Sequence, residues 1–145
     1  MALWGITDAD EAKPKWLTSA EKADVYATDR GWVKLNGKGL EEVICSIGGL
    51  ATSVGGADIN TSAFVGSAFD VSAGGNVDVR LTFNEKVTVT GSPTITITNS
   101  QAGGGSAATK TATYQSGSGT NKLVFRCTIG AAGSTVSADD VLSIA

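Results

Sequence analysis

From Asn76 to Phe83 the chain reads NVDVRLTF. Val77, Val79, Leu81 and Phe83 fall on one side of a period-two pattern and Asp78, Arg80 and Thr82 on the other, the alternation of a half-buried β-strand. The next run, EKVTVTGSPTITITNS, continues it with Val87 and Val89, then Ile95 and Ile97, and Gly91-Ser92-Pro93 reads as a corner between the two pairs. Two more strands are predicted over TKTATYQSG (109–117) and NKLVFRCTIG (121–130). In the second, Leu123, Phe125, Cys127 and Ile129 share a face, and GSGT at 117–120 joins the two as a hairpin. Short strands punctuated by glycine at intervals of about eight to twelve residues predict a mostly β chain with an antiparallel β-sandwich from residue 63 to residue 145. Its polar positions are rich in threonine, which favours strands without adding charge.

Residues 1–62 are built differently. All three tryptophans (Trp4, Trp16, Trp32) and 14 of the 25 charged residues fall within the first 42 positions. Thr18 with Glu21 fits a capping box, so a short helix is expected over SAEKADVYA, ended by TDRG. Leu17 and Lys22 occupy the two staple positions, where a pair of apolar residues would be needed, so the helix depends on docking. Residues 31–49 predict a hairpin, Trp32–Leu35 against Glu42–Ile47, around the turn NGKG. The glycine-rich stretch GGLATSVGGADINTSA connects this hairpin to the sandwich as a linker or a packed loop, and Leu50, Val54 and Ile59 favour packing.

The opening stretch, WGITDADEAKPKWL, fits neither the helical nor the strand template. Pro14 fixes its own φ and biases Lys13 towards extended geometry. Residues 1–17, fully extended at ~3.3 Å each, reach on the order of 50 Å. Each indole buried along such an arm removes ~200 Å² from water, worth ~5 kcal/mol before ordering entropy is subtracted. Two destinations fit Trp4 and Trp16: a sheet face of the chain itself, or grooves in another protein, with the intervening charges as a wet rim.

Charge and composition remove several kinds of chemistry. The chain has 145 residues, a formal net charge of -3 and no histidine, and its pI is about 4.8. Nucleic-acid binding needs a basic face that is missing here. A histidine-based triad is impossible, and general acid–base work loses its commonest agent. Cys45 and Cys127 lie 82 positions apart, without metal-ligand spacing, and read as two small buried hydrophobes. No basic-then-apolar leader opens the sequence and no run approaches the roughly 18 apolar residues of a membrane span, so synthesis in a reducing cytoplasm is expected. GGLATSVGG and QAGGGSAATK lack the phosphate-loop pattern, and Asp139-Asp140 and the Asp70/Asp78 neighbourhood match no calcium loop. No cofactor is expected.

LTFNEKVTVTGSPTITITNS followed by ATYQSGSGTNKLVFRCTI resembles an immunoglobulin-like repeat of bacterial surface adhesins and of structural proteins of tailed bacteriophages. The likeness covers roughly residues 75–130 and is carried by Phe83-Asn84-Glu85, the Val89–Pro93 corner and Gly117–Phe125. ALWGITDADEAKPKWLTSAEKADVYATDRGWV is similar to the openings of virion proteins of large tailed phages, with its Trp-Gly start, Lys-Pro-Lys and Gly-Trp-Val, and EEVICSIGGLA fits the same group. A single copy with no export signal departs from the adhesin arrays and favours the phage group. The resemblance implies a non-enzymatic head decoration or cement protein on the capsid surface, made in the host cytoplasm. Its partner would be the major capsid protein, with a homotrimer or other self-association on the shell, and neither nucleic acid nor membrane. The residues expected at the capsid contact are Leu3, Trp4, Lys13, Pro14, Lys15, Trp16, Leu17 and Trp32.

Two rivals come from other classes. A tail or fibre module binding host-surface glycans would use the same sandwich but would display aromatic residues on its loops, where Tyr114 is the exception to their scarcity. A hydrolase would need paired carboxylates such as Asp78 and Glu85, which stand an odd number of positions apart.

Overall fold

The computed structural model of the chain describes residues 12–53, 56–66, 73–100, 108–129 and 141–144. The chain is mostly β, of antiparallel β-sandwich character, with one short helix among the described residues. The helix α1 (Ser19–Asp24) is followed by β1 (Tyr26–Thr28), β2 (Gly31–Leu35), β3 (Glu41–Cys45), β4 (Ile59–Val65), β5 (Gly75–Val87), β6 (Thr94–Ser100), β7 (Ala108–Ser116), β8 (Thr120–Ile129) and β9 (Val141–Ile144). β1-β2-β3 form one sheet, and a second runs in the order β4-β5-β8-β7-β6-β9. The described residues fall into two compact units, one within 12–61, 82–88 and 118–122 and the other within 62–81, 89–117 and 123–144.

In the first unit the expected helix and hairpin are both present. Thr18 Oγ1 accepts from the Glu21 backbone N–H while the Glu21 carboxylate accepts from the Thr18 N–H at 2.9 Å, the reciprocal capping box. A six-residue helix is far below the length that is stable alone, so its C-terminal carbonyls need outside donors. Three side chains supply them: Lys13 Nζ to Lys22 O at 2.7 Å, Asn60 Nδ2 to Ala23 O at 3.1 Å, and Asn121 Nδ2 to Asp24 O at 3.2 Å.

The hairpin turns on Asn36, whose backbone N–H donates to Leu40 O and whose carbonyl accepts from Gly39 N–H. Gly39 takes φ +76°, the left-handed region where glycine is free of strain. A bulge between Trp32 and Val33 lets both side chains be buried, so β2 loses simple alternation. Trp32, fully buried, packs in a cluster with Ala12, Val25, Ala27 and Leu50, with Leu17, Ile44, Cys45 and Ile47 around it. Covering an indole of this size contributes ~5 kcal/mol by area, less the cost of its buried Nε1–H, which has no hydrogen-bond partner.

In the second unit the period-two reading holds over β8, where Leu123, Phe125, Cys127 and Ile129 are all buried and the residues between them are not. Val79 and Leu81 of β5 and Ile97 of β6 are buried as well. β7 and β8 pair antiparallel as the expected hairpin, and Tyr114, a strand residue, meets Phe125 edge-on with ring centroids 6.0 Å apart. β5 is one uninterrupted strand through Phe83-Asn84-Glu85, and β4 lies in the stretch read from sequence as a connection. Cys45 and Cys127 are both free thiols.

Candidate functional site

Five of the eight contact residues expected from sequence, Lys13 to Leu17, form a short turn ahead of α1. The Leu17 N–H donates to Pro14 O at 3.2 Å, which makes Lys15 and Trp16 the corner residues. Ala12, Lys13 and Pro14 on one side of the corner are buried. On the other side Leu17 packs against the Trp32 cluster and Thr18 caps the helix. Lys13 is only 2% exposed, and its ammonium is held at the negative end of α1 by Lys22 O. Both flanks of the corner are therefore fixed to the unit, while Lys15 is exposed and the Trp16 indole is 66% exposed. Tryptophan is usually well covered, so an indole held out on a pinned turn is an unspent apolar surface.

Trp32 is a core residue of this unit, and Lys13 and Pro14 form the base of the turn rather than its surface. Leu3 and Trp4 lie outside the described residues. Exposed apolar side chains also occur on the β2–β3 hairpin, at Leu40 and Val43, and at Ile59 of β4.

A second cluster, not anticipated from sequence, gathers around Glu41 in the same unit. Its carboxylate accepts from the Tyr26 hydroxyl at 2.9 Å, pairs with Lys86 Nζ at 2.6 Å and pairs with the Arg30 guanidinium. Lys86 Nζ also lies 5.8 Å from the centre of the Tyr26 ring, within cation–π range. The Lys86 hydrogen bond holds the Glu41 carboxyl below its ordinary value against the opposing effect of burial, while burial, reinforced by the bond to Glu41, pushes the Tyr26 phenol far up. An open hollow of about 330 Å³ beside it is lined by Ala27, Thr28, Asp29, Thr52 and Lys86. The carboxylate is occupied by three donors and Lys86 by its carboxylate, which is the chemistry of a clamp between β1, β3 and β5.

Asp78 and Glu85 fall in different units, and each has its own partner. The Asp78 carboxylate takes both Nε and a terminal nitrogen of Arg126, at 2.7 and 2.8 Å, and this bond lowers its pKa. Glu85 is buried and accepts from Ser53 Oγ at 3.3 Å. Among the described residues no three His, Cys, Asp or Glu side chains are grouped to hold a metal ion, and no helix is long and apolar enough to cross a membrane. Asp70, Asp139 and Asp140, and all but the last residues of QAGGGSAATK, lie outside the described residues.

No protein-family model, curated protein or solved structure matches the chain.

Proposed function

We propose that the chain is a non-enzymatic virion structural protein of a tailed phage, a capsid decoration or cement protein that binds the major capsid protein through the turn at Lys15-Trp16. The observation that carries the reading is Trp16, 66% exposed on a corner held on one side by buried Ala12–Pro14 and on the other by Leu17, which packs on the Trp32 cluster. Aromatic side chains presented in this way are the usual anchors of protein interfaces, and fixing them beforehand lowers the ordering cost of binding. Lys15 beside it supplies a positive charge at the rim, where it steers approach more than it adds affinity. Each copy seated across capsid subunits adds its binding free energy to the closed shell, and many copies act together by mass action.

The test is occupancy of the purified chain on shells that lack it, comparing the parent with Trp16→Ser. Trp16 belongs to no buried cluster, so the variant keeps its fold. Loss of an anchor worth about 2 kcal/mol weakens binding by about thirtyfold. Equal occupancy of the two proteins would remove the anchoring role from the turn. An exposed indole also stacks on sugar rings, which favours the tail or fibre reading as the alternative; retention of the parent, but not of Trp16→Ser, on host polysaccharide with no binding to shells would select it.

A further inference from the structure

The NGKG turn carries a chemistry that the contact reading does not use. Asn36 is the one asparagine of the six in the chain that is followed by glycine. Its Oδ1 accepts two backbone N–H groups, Lys38 at 2.9 Å and Leu40 at 3.0 Å. The Gly37 N–H donates to no group among the described residues, and a Cβ at Gly37 would meet nothing within 4 Å. The amide carbonyl of Asn36 is thus polarised by two donors. The adjacent backbone nitrogen is uncommitted, unshielded by a side chain, and four bonds from the amide carbon.

We propose that Asn36 is a self-modification site, deamidating through a succinimide formed with Gly37. The Gly37 nitrogen attacks Asn36 Cγ, forming the N–Cγ bond. The bond from Cγ to Nδ2 breaks, and the Gly37 proton passes through solvent to the departing ammonia. Water then opens the ring at either carbonyl, giving its hydroxyl to that carbon and a proton to the nitrogen, and leaves aspartate or isoaspartate. The Lys38 and Leu40 N–H groups sit where negative charge grows on Oδ1 during the attack, the arrangement of an oxyanion hole. The two products differ in effect. Aspartate keeps an acceptor for both N–H groups and strengthens it with charge, whereas isoaspartate lengthens the main chain by one carbon inside the turn that Asn36 N–H, Leu40 O and Gly39 N–H close.

The experiment incubates the intact chain at mildly alkaline pH in heavy-oxygen water, digests it with trypsin and follows the Leu35–Lys38 peptide by mass spectrometry. The expected result is conversion at Asn36 ahead of Asn60, Asn76, Asn84, Asn99 and Asn121, with one heavy oxygen incorporated and both isomers present. A well-aimed oxyanion donor is worth roughly a hundredfold in an enzyme, so even a tenth of that makes the native turn react about tenfold faster than the urea-unfolded chain. Gly37→Ala, which has room for its methyl group, slows conversion, and Asn36→Asp has the stability of the aspartate product. The proposal is overturned by an intact Asn36 amide after other asparagines have reacted, by a native rate at or below the unfolded one, or by an unchanged rate in Gly37→Ala.

Discussion

Asn121 joins the end of α1 to strand β5, and replacing it probes that join directly. Its side chain is fully buried, with Nδ2 donating to Asp24 O at 3.2 Å and to Phe83 O at 3.3 Å, while Oδ1 has no partner. Asn121→Ala takes away the donor that this side chain gives to the Asp24 and Phe83 carbonyls. Both bonds are long, so each loss sits near the low end of the range, about 1 kcal/mol, and a small cavity adds about 1 more. Removing the orphan Oδ1 returns about 1 kcal/mol, for a net loss of about 2 kcal/mol. In urea unfolding, with a slope of about 2 kcal/mol per molar, the midpoint falls by about 1 M. Asn121→Asp adds a second reading, because a carboxylate cannot donate and its burial raises the folded pKa above the unfolded value near 3.9. The deficit relative to the parent is therefore smallest below about pH 4, where the acid is protonated in both states, and grows as pH rises. The reasoning is refuted if Asn121→Ala stays within about 0.5 kcal/mol of the parent, or if the deficit of Asn121→Asp does not grow with pH.

Other substitutions test separate joints. Gly31 has φ +119°, and a Cβ there would lie 2.1 Å from Cys45 O, so Gly31→Ala should cost about 3 kcal/mol and lower the calorimetric melting temperature by about 10 °C. Thr18→Ala removes the capping box and should cost about 1 kcal/mol in urea unfolding. Trp32→Ala should cost about 3–5 kcal/mol, and Trp32→Phe much less, because the phenyl ring discards the unpartnered N–H. Towards acid, Asp78 and Glu41, whose folded pKa values are depressed, stop contributing as pH falls below their unfolded values near 4 and on through the folded ones. Asp78→Asn should flatten that limb of the stability curve. Towards alkali, Tyr26 is held protonated by the fold, so its contribution is intact below about pH 10 and is lost above it; Tyr26→Phe should abolish this loss in the pH dependence of the urea midpoint.

The strands with one buried face were legible because alternation is a local signal. Val77 to Leu81 and Leu123 to Ile129 announce themselves without knowledge of their neighbours. The capping box and the NGKG hairpin were legible for the same reason, each being closed within a few residues. β4 was not, since all seven of its residues are exposed and Ile59-Asn60-Thr61-Ser62-Ala63 carries no apolar periodicity. Trp32 and Trp16 look alike in sequence, yet one is the centre of a core and the other is held out on a corner. What separates them is the bulge in β2 and the turn closed by Pro14 O, and neither leaves a compositional trace. Lys13 reads as a solvated charge until the distant end of α1 supplies its acceptor. The Glu41 cluster was equally hidden, because Lys86 reaches it across 45 positions of chain.

The proposed function puts this chain on a capsid with its Trp16 corner seated in the shell. An electron-microscopy map of the particle, at a resolution that traces side chains, is the decisive measurement. Density for the chain is expected on the outer surface of the head, with the Trp16 indole inside a hollow of the major capsid protein and Lys15 at its rim. A chain found only in the tail, or one on the head whose Trp16 faces solvent, would contradict it.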